Sequence, residues 1–247
     1  MFDYNSFTNA VIEANKELYE YINTHMSSSD LEESKTIGFG GDNSLHIDLL
    51  AENIFIKHLS SFGDIFSEEA GLISSNSNIK IIIDPLDGSH NFQAGLAYYG
   101  TSVALQIDNI TKAGFVCNLA NKIMIYRSNG NLNQIDILTK KEIKMFDIKN
   151  PSIGIFERAY SYPNICKNLN DKKLKFRSPG AVAISLAYAK NYKFVLFAGN
   201  IREFDIAAAL YICKDLLIHQ EAEFLIVAKN DYFFLIQPYA LSLTQYQ

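Results

Sequence analysis

The segment Ile81-Ile82-Ile83-Asp84-Pro85-Leu86-Asp87-Gly88-Ser89 carries the densest chemistry in the chain. A buried apolar strand delivers Asp84 at its C-terminal end, and Pro85, which has no N–H to give a neighbouring strand, predicts that the strand stops there. Asp87-Gly88 then turns the chain so that a second carboxylate returns beside the first. Like charges held together are costly unless a cation neutralises them, and oxygen donors without His or Cys select Mg²⁺ or Mn²⁺. The same turn exposes the N–H groups of Gly88, Ser89 and His90, a cradle for an anion. A metal beside an anion cradle predicts a phosphate ester. Each element also has a plain structural reading. Asp-Pro-x-Asp-Gly describes a strand-ending turn, Glu68-Glu69 a solvated loop, and Asp205 before Ile206-Ala207-Ala208 a helix N-cap.

The surrounding pattern predicts the elements that hold these residues. Phe7, Val11, Ile12, Leu18, Tyr19 and Ile22 recur at helical spacing, so a first helix ends near Ser27-Ser28-Ser29, and a second is expected over 47–59. Between them, Gly38 to Ser44 lacks periodicity and reads as a mobile loop. Short apolar runs at 65–66, 79–83, 98–107, 114–119 and 123–126, separated by turn signals such as Asn129-Gly130, predict adjacent antiparallel strands. Past Pro151 the pattern alternates: strand 153–156, helix 181–190, strand 194–197, helix 206–217, strand 224–227. Two lobes are expected, 1–145 and 146–247.

Bulk properties exclude several classes. A chain of 247 residues with 48% hydrophobic and 20% charged residues is that of a folded globular protein. No basic leader precedes the first helix and no run reaches the about 18 apolar residues of a membrane span, so no membrane association and a cytoplasmic location are expected. Lys and Arg number 22 against 27 Asp and Glu, a net charge of −5, and apart from a short Lys172, Lys173, Lys175, Arg177 group they are scattered, which argues against nucleic acid as a partner. Cys117, Cys166 and Cys213 lack metal or disulfide spacing and read as reduced thiols, outside every motif.

Taken together, Ser67-Glu68-Glu69, Asp84 to Phe92, and Phe204-Asp205-Ile206-Ala207-Ala208 resemble the inositol monophosphatase family of Mg²⁺-dependent, lithium-sensitive phosphatases. Segments 47–52 and 177–181 also fall where that family has similar stretches. The resemblance implies an α+β fold, a layered α-β-α-β-α sandwich with an antiparallel sheet in the first lobe and a mixed sheet in the second, and a homodimer. It implies that Glu68, Asp84 and the Leu86 carbonyl hold one metal ion, and that Asp84, Asp87 and Asp205 hold another. Asp48, with Asp42, is implied for a weaker third ion and for catalysis. Glu68 and the Ser89 hydroxyl would orient and deprotonate the attacking water, while the Gly88 and Ser89 N–H groups grip phosphate.

The pattern departs from the family at Ser89, where Thr is common, at His90, where Thr or Ser is usual, and at Phe204, where Trp is frequent. His90 is a candidate to contact phosphate when protonated, and the favoured reading is that it packs beside the phosphate or supports its ligands. Ala198 stands where animal members carry an acidic residue that contacts inositol, so strict inositol specificity is not expected. Arg202 resembles the arginine of the archaeal branch, which hydrolyses inositol phosphates and fructose 1,6-bisphosphate. With Arg177, Gly180 and Ala181 it is a candidate for substrate binding, and a surface ion pair of Arg202 beside Glu203 is the alternative. The expected partner is a small phosphorylated metabolite. A fructose-1,6-bisphosphatase or a 3′-phosphoadenosine nucleotide phosphatase is the nearest variant, and a noncatalytic phosphate-binding protein is the competing class.

Overall fold

The computed structural model describes residues 2–41, 43–74, 76–146, 148–229 and 232–233. Helix α1 (Tyr4–Thr24) begins where the Asp3 carboxylate accepts the Asn5 and Ser6 N–H groups at 3.1 and 3.0 Å, which satisfies donors the helix itself cannot. A two-stranded ribbon of β1 (Glu33–Ile37) and β2 (Asn43–Leu45) leads into α2 (His46–Leu59). Next come β3 (Asp64–Ser67), β4 (Gly71–Ile73), β5 (Ile79–Asp87), the one-turn α3 (Ser89–Gln93), β6 (Gly100–Ile107), β7 (Ile110–Asn118), β8 (Ile123–Ser128) and β9 (Asn131–Asp136). These strands form a seven-stranded sheet in the order β4-β3-β5-β6-β7-β8-β9. It is antiparallel throughout except that β3 and β5 run parallel, which makes this sheet mixed where a fully antiparallel one was expected.

Then follow β10 (Gly154–Glu157), α4 (Pro163–Asp171), β11 (Phe176–Arg177), α5 (Val182–Ala187), β12 (Phe194–Ala198), α6 (Glu203–Ile212), β13 (Leu217–Glu221) and β14 (Phe224–Ala228). A second, five-stranded mixed sheet has the order β11-β10-β12-β14-β13. The two-residue period of strands sorts the side chains into layers. Ile81 and Ile83 pack against α1 and α2, whereas Ile82 points to the other face, against α5 and α6. Val195 and Phe197 close that shared core from the second sheet, and Phe194 and Leu196 face α4 on the far side. The result is the five-layer α-β-α-β-α sandwich, with α5 and α6 between the two sheets.

Four local expectations are corrected. β5 runs on through Pro85 to Asp87, because the pairing with β6 breaks register between Asp84 and Asp87 and a proline without N–H is harmless in such a bulge. α6 stops at Ile212 instead of Leu217: the Arg127 guanidinium takes the Ile212 carbonyl at 3.2 and 3.1 Å, and Leu217 instead opens β13. α5 ends at Ala187 and a 3₁₀ turn follows over Ala189–Asn191. The described part of the glycine stretch is pinned, since Phe39 and Gly40 donate N–H bonds to the Glu69 and Glu68 carbonyls at 2.9 and 2.8 Å.

Candidate active site

The parallel register of β3 and β5 explains how residues remote in sequence meet. Ser67 pairs with Ile83, and the Glu68 N–H donates to the Ile83 carbonyl at 3.1 Å, so Glu68 and Asp84 emerge together at the C-terminal ends of neighbouring parallel strands. Asp205 arrives from the first turn of α6, which lies on the same sheet and is fixed there by the Ser102 hydroxyl donating to the Phe204 carbonyl at 3.2 Å. Carboxylate oxygens of Glu68, Asp84 and Asp205 all lie within 4.8 Å of one another.

Past Asp84 the chain makes an Asx turn, with the Leu86 N–H on Asp84 Oδ1 at 3.0 Å. Gly88, at φ +83°, then opens α3. A Cβ there would stand 3.1 Å from Ala181 Cβ and 3.1 Å from the Tyr98 carbonyl, so glycine is required for both conformation and space. That closeness brings Gly88, Gly180 and Ala181 together. Ser89 beside them is half-buried, and His90 is exposed. Arg177 is exposed too, donating to its neighbour's Phe176 carbonyl at 2.8 Å.

Asp87 points differently from the trio. Its two oxygens accept the Val182 and Ile184 N–H groups at 3.0 and 3.1 Å, so it caps α5 and ties the loop after Asp84 to the second half of the chain. Asp48 Oδ2 accepts the Leu45 N–H at 2.7 Å, while its buried Oδ1 has no hydrogen-bond partner among the described residues. The Ser44 hydroxyl bonds the Glu69 carboxylate. Asp42 lies outside the described residues.

Burial dominates the electrostatics. It pushes Glu68 up to about 7, aided by repulsion from Asp205 and Glu69 and opposed by Arg202. Asp48 is pushed up to about 7 by burial and by Glu69. Asp84 lies well above the usual carboxylate range through burial first and then through Glu68, Asp87 and Asp205, and Asp87 does so through burial first and then through Asp205, Glu157 and Glu68. Four desolvated acids, an orphaned Asp48 oxygen and an all-oxygen donor set fit a hard divalent cation, which would let them ionise together.

Arg202 is not a surface ion pair with Glu203. Glu203 pairs with Lys80 at 3.6 Å and with Gln106 at 3.0 Å, whereas Arg202 engages Glu68 at 2.5 Å and Asp205 at 3.1 Å. Phe204 fills its position by packing on Phe66, ring centroids 4.7 Å apart, with Phe39 edge-on at 6.3 Å. One acidic residue escaped sequence reading. Glu157, 1% exposed at the end of β10, accepts the Gly180 N–H at 2.9 Å and the Ser185 hydroxyl at 2.5 Å, and so ties the loop before α5 to the helix whose N–H groups hold Asp87. Its signal was available: an acid closing a buried apolar run, as at Asp84.

A model of the inositol monophosphatase family matches residues 3–216. The chain belongs to the inositol monophosphatase family. Within the family it is 30% identical over 182 residues to a fructose-1,6-bisphosphatase of Pyrococcus furiosus, covering 71% of this chain and 68% of that one. To a fructose-1,6-bisphosphatase/inositol-1-monophosphatase of Methanocaldococcus jannaschii it is 29% identical over 181 residues, covering 71% and 69%. In three dimensions it is similar to the solved MJ0109 gene product, an inositol monophosphatase–fructose 1,6 bisphosphatase, with a TM-score of 0.75 at 24% identity over 96% of this chain and 98% of that one. These likenesses agree with the five-layer sandwich described above.

Proposed function

We propose that the protein is a Mg²⁺- or Mn²⁺-dependent phosphomonoesterase that hydrolyses a small inositol or sugar phosphate by direct attack of water. The observation that carries this reading is the gathering of Glu68, Asp84 and Asp205 oxygens within 4.8 Å, in a family of phosphatases. Glu68, Asp84 and the Leu86 carbonyl would hold one ion, and Asp84, Asp87 and Asp205 a second. Each Asp87 oxygen retains a lone pair beyond its helix N–H, so capping and ligation are compatible. Asp48, with its orphaned Oδ1, is the candidate for a third. When bound, such ions supply charge stabilisation for the entering and leaving oxygens and acidify water.

The chain's own groups do the rest. Glu68 and the Ser89 hydroxyl orient the attacking water and take its proton. The Gly88 and Ser89 N–H groups hold phosphate oxygens, with exposed His90 beside them. Gly180, Ala181 and Arg177 line the approach from the second half, and Glu157 holds Gly180 in place. The two relatives named for fructose 1,6-bisphosphate, one of them also for inositol 1-phosphate, make these the first substrates to try. Buried Ala198, at the end of β12, offers no charge to inositol hydroxyls, which favours a broad sugar-phosphate range.

Two lobes, 1–145 and 146–247, are proposed from the change of sheet between β9 and β10. A cytoplasmic homodimer is proposed as well, the compartment supported by three unpaired cysteines. Among the described residues no helix is long and apolar enough to cross a membrane. The test is phosphate release with Mg²⁺ from a panel of inositol, sugar and nucleotide phosphates. Turnover of at least one member, lost in Asp84→Asn, is expected. Metal binding without release from any substrate would overturn the enzyme reading in favour of a phosphate-binding protein.

A further inference from the structure

Arg202 spans the two carboxylates that arrive from the most distant parts of the chain. Its Nη1 lies 2.5 Å from Glu68 Oε1, its Nε 3.1 Å from Asp205 Oδ2 and its Nη2 3.2 Å from Asp205 Oδ1. All three guanidinium nitrogens are therefore committed to members of the acidic trio, and both Asp205 oxygens carry one of them. The glycine turn lies close against the pair: a Cβ on Gly40 would meet Glu68 Oε1 at 2.9 Å and Arg202 Nη1 at 3.1 Å.

A second cation cannot take an Asp205 oxygen without sharing it with a guanidinium nitrogen or displacing that nitrogen, and two positive centres on shared oxygens in a desolvated site repel strongly. The buried trio therefore has a built-in neutralising charge in the same chain, three residues before Asp205. We infer that Arg202 is the resident counter-cation of the trio, holding Glu68 and Asp205 in place when no divalent ion is bound and competing with the ion for their oxygens. This rests on the reading that the trio binds a divalent cation. The fork geometry allows folding before metal loading, and the exchange of one cation for the other lowers metal affinity as its cost.

The experiment titrates Mn²⁺ into chelator-treated wild type, Arg202→Gln, Arg202→Lys and Asp84→Asn by calorimetry and records each thermal midpoint in EDTA. Removing the charge in R202Q is expected to tighten Mn²⁺ binding by about tenfold, a typical coupling between sites, and to lower the midpoint in EDTA. R202K keeps the charge and is expected to bind Mn²⁺ within about threefold of wild type, which also serves should R202Q fail to fold without metal. Binding in R202Q equal to or weaker than wild type, with D84N binding lost, overturns the counter-cation role alone. An R202K affinity raised as much as that of R202Q also overturns it, because charge would then not be what competes. Wild type and D84N binding Mn²⁺ alike overturns the site reading beneath it.

Discussion

Replacing Asp84 by Asn isolates the charge of the most buried ligand with almost no change of shape. Asp84 is 2% exposed, and Asn can keep the Oδ1 acceptor used by the Leu86 N–H. Two ionised carboxylates with oxygens within 4.8 Å of one another repel by at least about 3 kcal/mol at an effective dielectric constant of about 20. Burial and the neighbouring acids raise the Asp84 pKa well above the ordinary value, so without metal the charged form is disfavoured there. A neutral Asn adds no such cost, and stability in EDTA should stay within about 1 kcal/mol of wild type, about 2–4 °C in melting temperature for a chain of this size. The difference emerges with metal. At Mn²⁺ about a hundredfold above its dissociation constant, wild type gains about 2.7 kcal/mol, about 5–10 °C, and D84N should lose most of that shift together with turnover. Differential scanning fluorimetry with EDTA or Mn²⁺ reads both. A loss of many degrees in EDTA, or a full Mn²⁺ shift in D84N, would refute the reasoning.

Asp87→Asn should behave differently: one of two oxygens that accept α5 N–H groups becomes a donor, so thermal melts should show a loss of about 1–3 kcal/mol in EDTA as well as lost phosphate release. Gly88→Ala must hold φ +83° and press on Ala181 and Tyr98, and should cost about 1–3 kcal/mol in chemical denaturation with a raised KM. Glu157→Leu, which removes the acceptor of the Gly180 N–H and of the buried Ser185 hydroxyl, should destabilise and raise KM for every substrate, whereas Glu157→Gln should recover most of both. For pH, the folded values of about 7 for Asp48 and Glu68 lie above their ordinary 3.8 and 4.5. The folded state thus keeps protons at these two sites that the unfolded chain releases, so their contribution to stability in EDTA is full below about pH 4, falls as pH rises towards about 7, and levels off above. Mn²⁺ competes with those protons, so calorimetric affinity should strengthen over the same interval.

The three acidic segments were readable because each breaks an apolar run in a distinctive way: Glu68 and Asp84 follow the apolar runs of β3 and β5, and Asp205 sits in the opening of an apolar helix. Their convergence was not readable from spacing, because it depends on the parallel pairing of Ser67 with Ile83, and register between strands is set by long-range packing. Of the long periodic elements, α2 was found nearly to the residue, and α1 was found but ends at Thr24, short of the expected Ser27-Ser28-Ser29 stop. The short ones, β4, α3 and α4, were missed because a turn or two of chain carries little periodicity. α6 was drawn too long, since nothing local reports that Arg127, 85 residues away, will take the Ile212 carbonyl. Arg202 was weighed as a substrate group or a pair with Glu203, and its actual partners follow only from the trio's assembly. The Asp87 carboxylate was identified from its motif, but its grip on α5 needed the three-dimensional approach of Val182.

The central claim is that Glu68, Asp84 and Asp205 are gathered to hold divalent cations, with Asp84 common to both ions. Crystals of the protein soaked in Mn²⁺, with data collected at the manganese absorption edge, test it most directly. An anomalous peak among these three carboxylates, absent in Asp84→Asn, is the predicted result. A map with no peak there, or with manganese bound only at surface acids elsewhere, would contradict it.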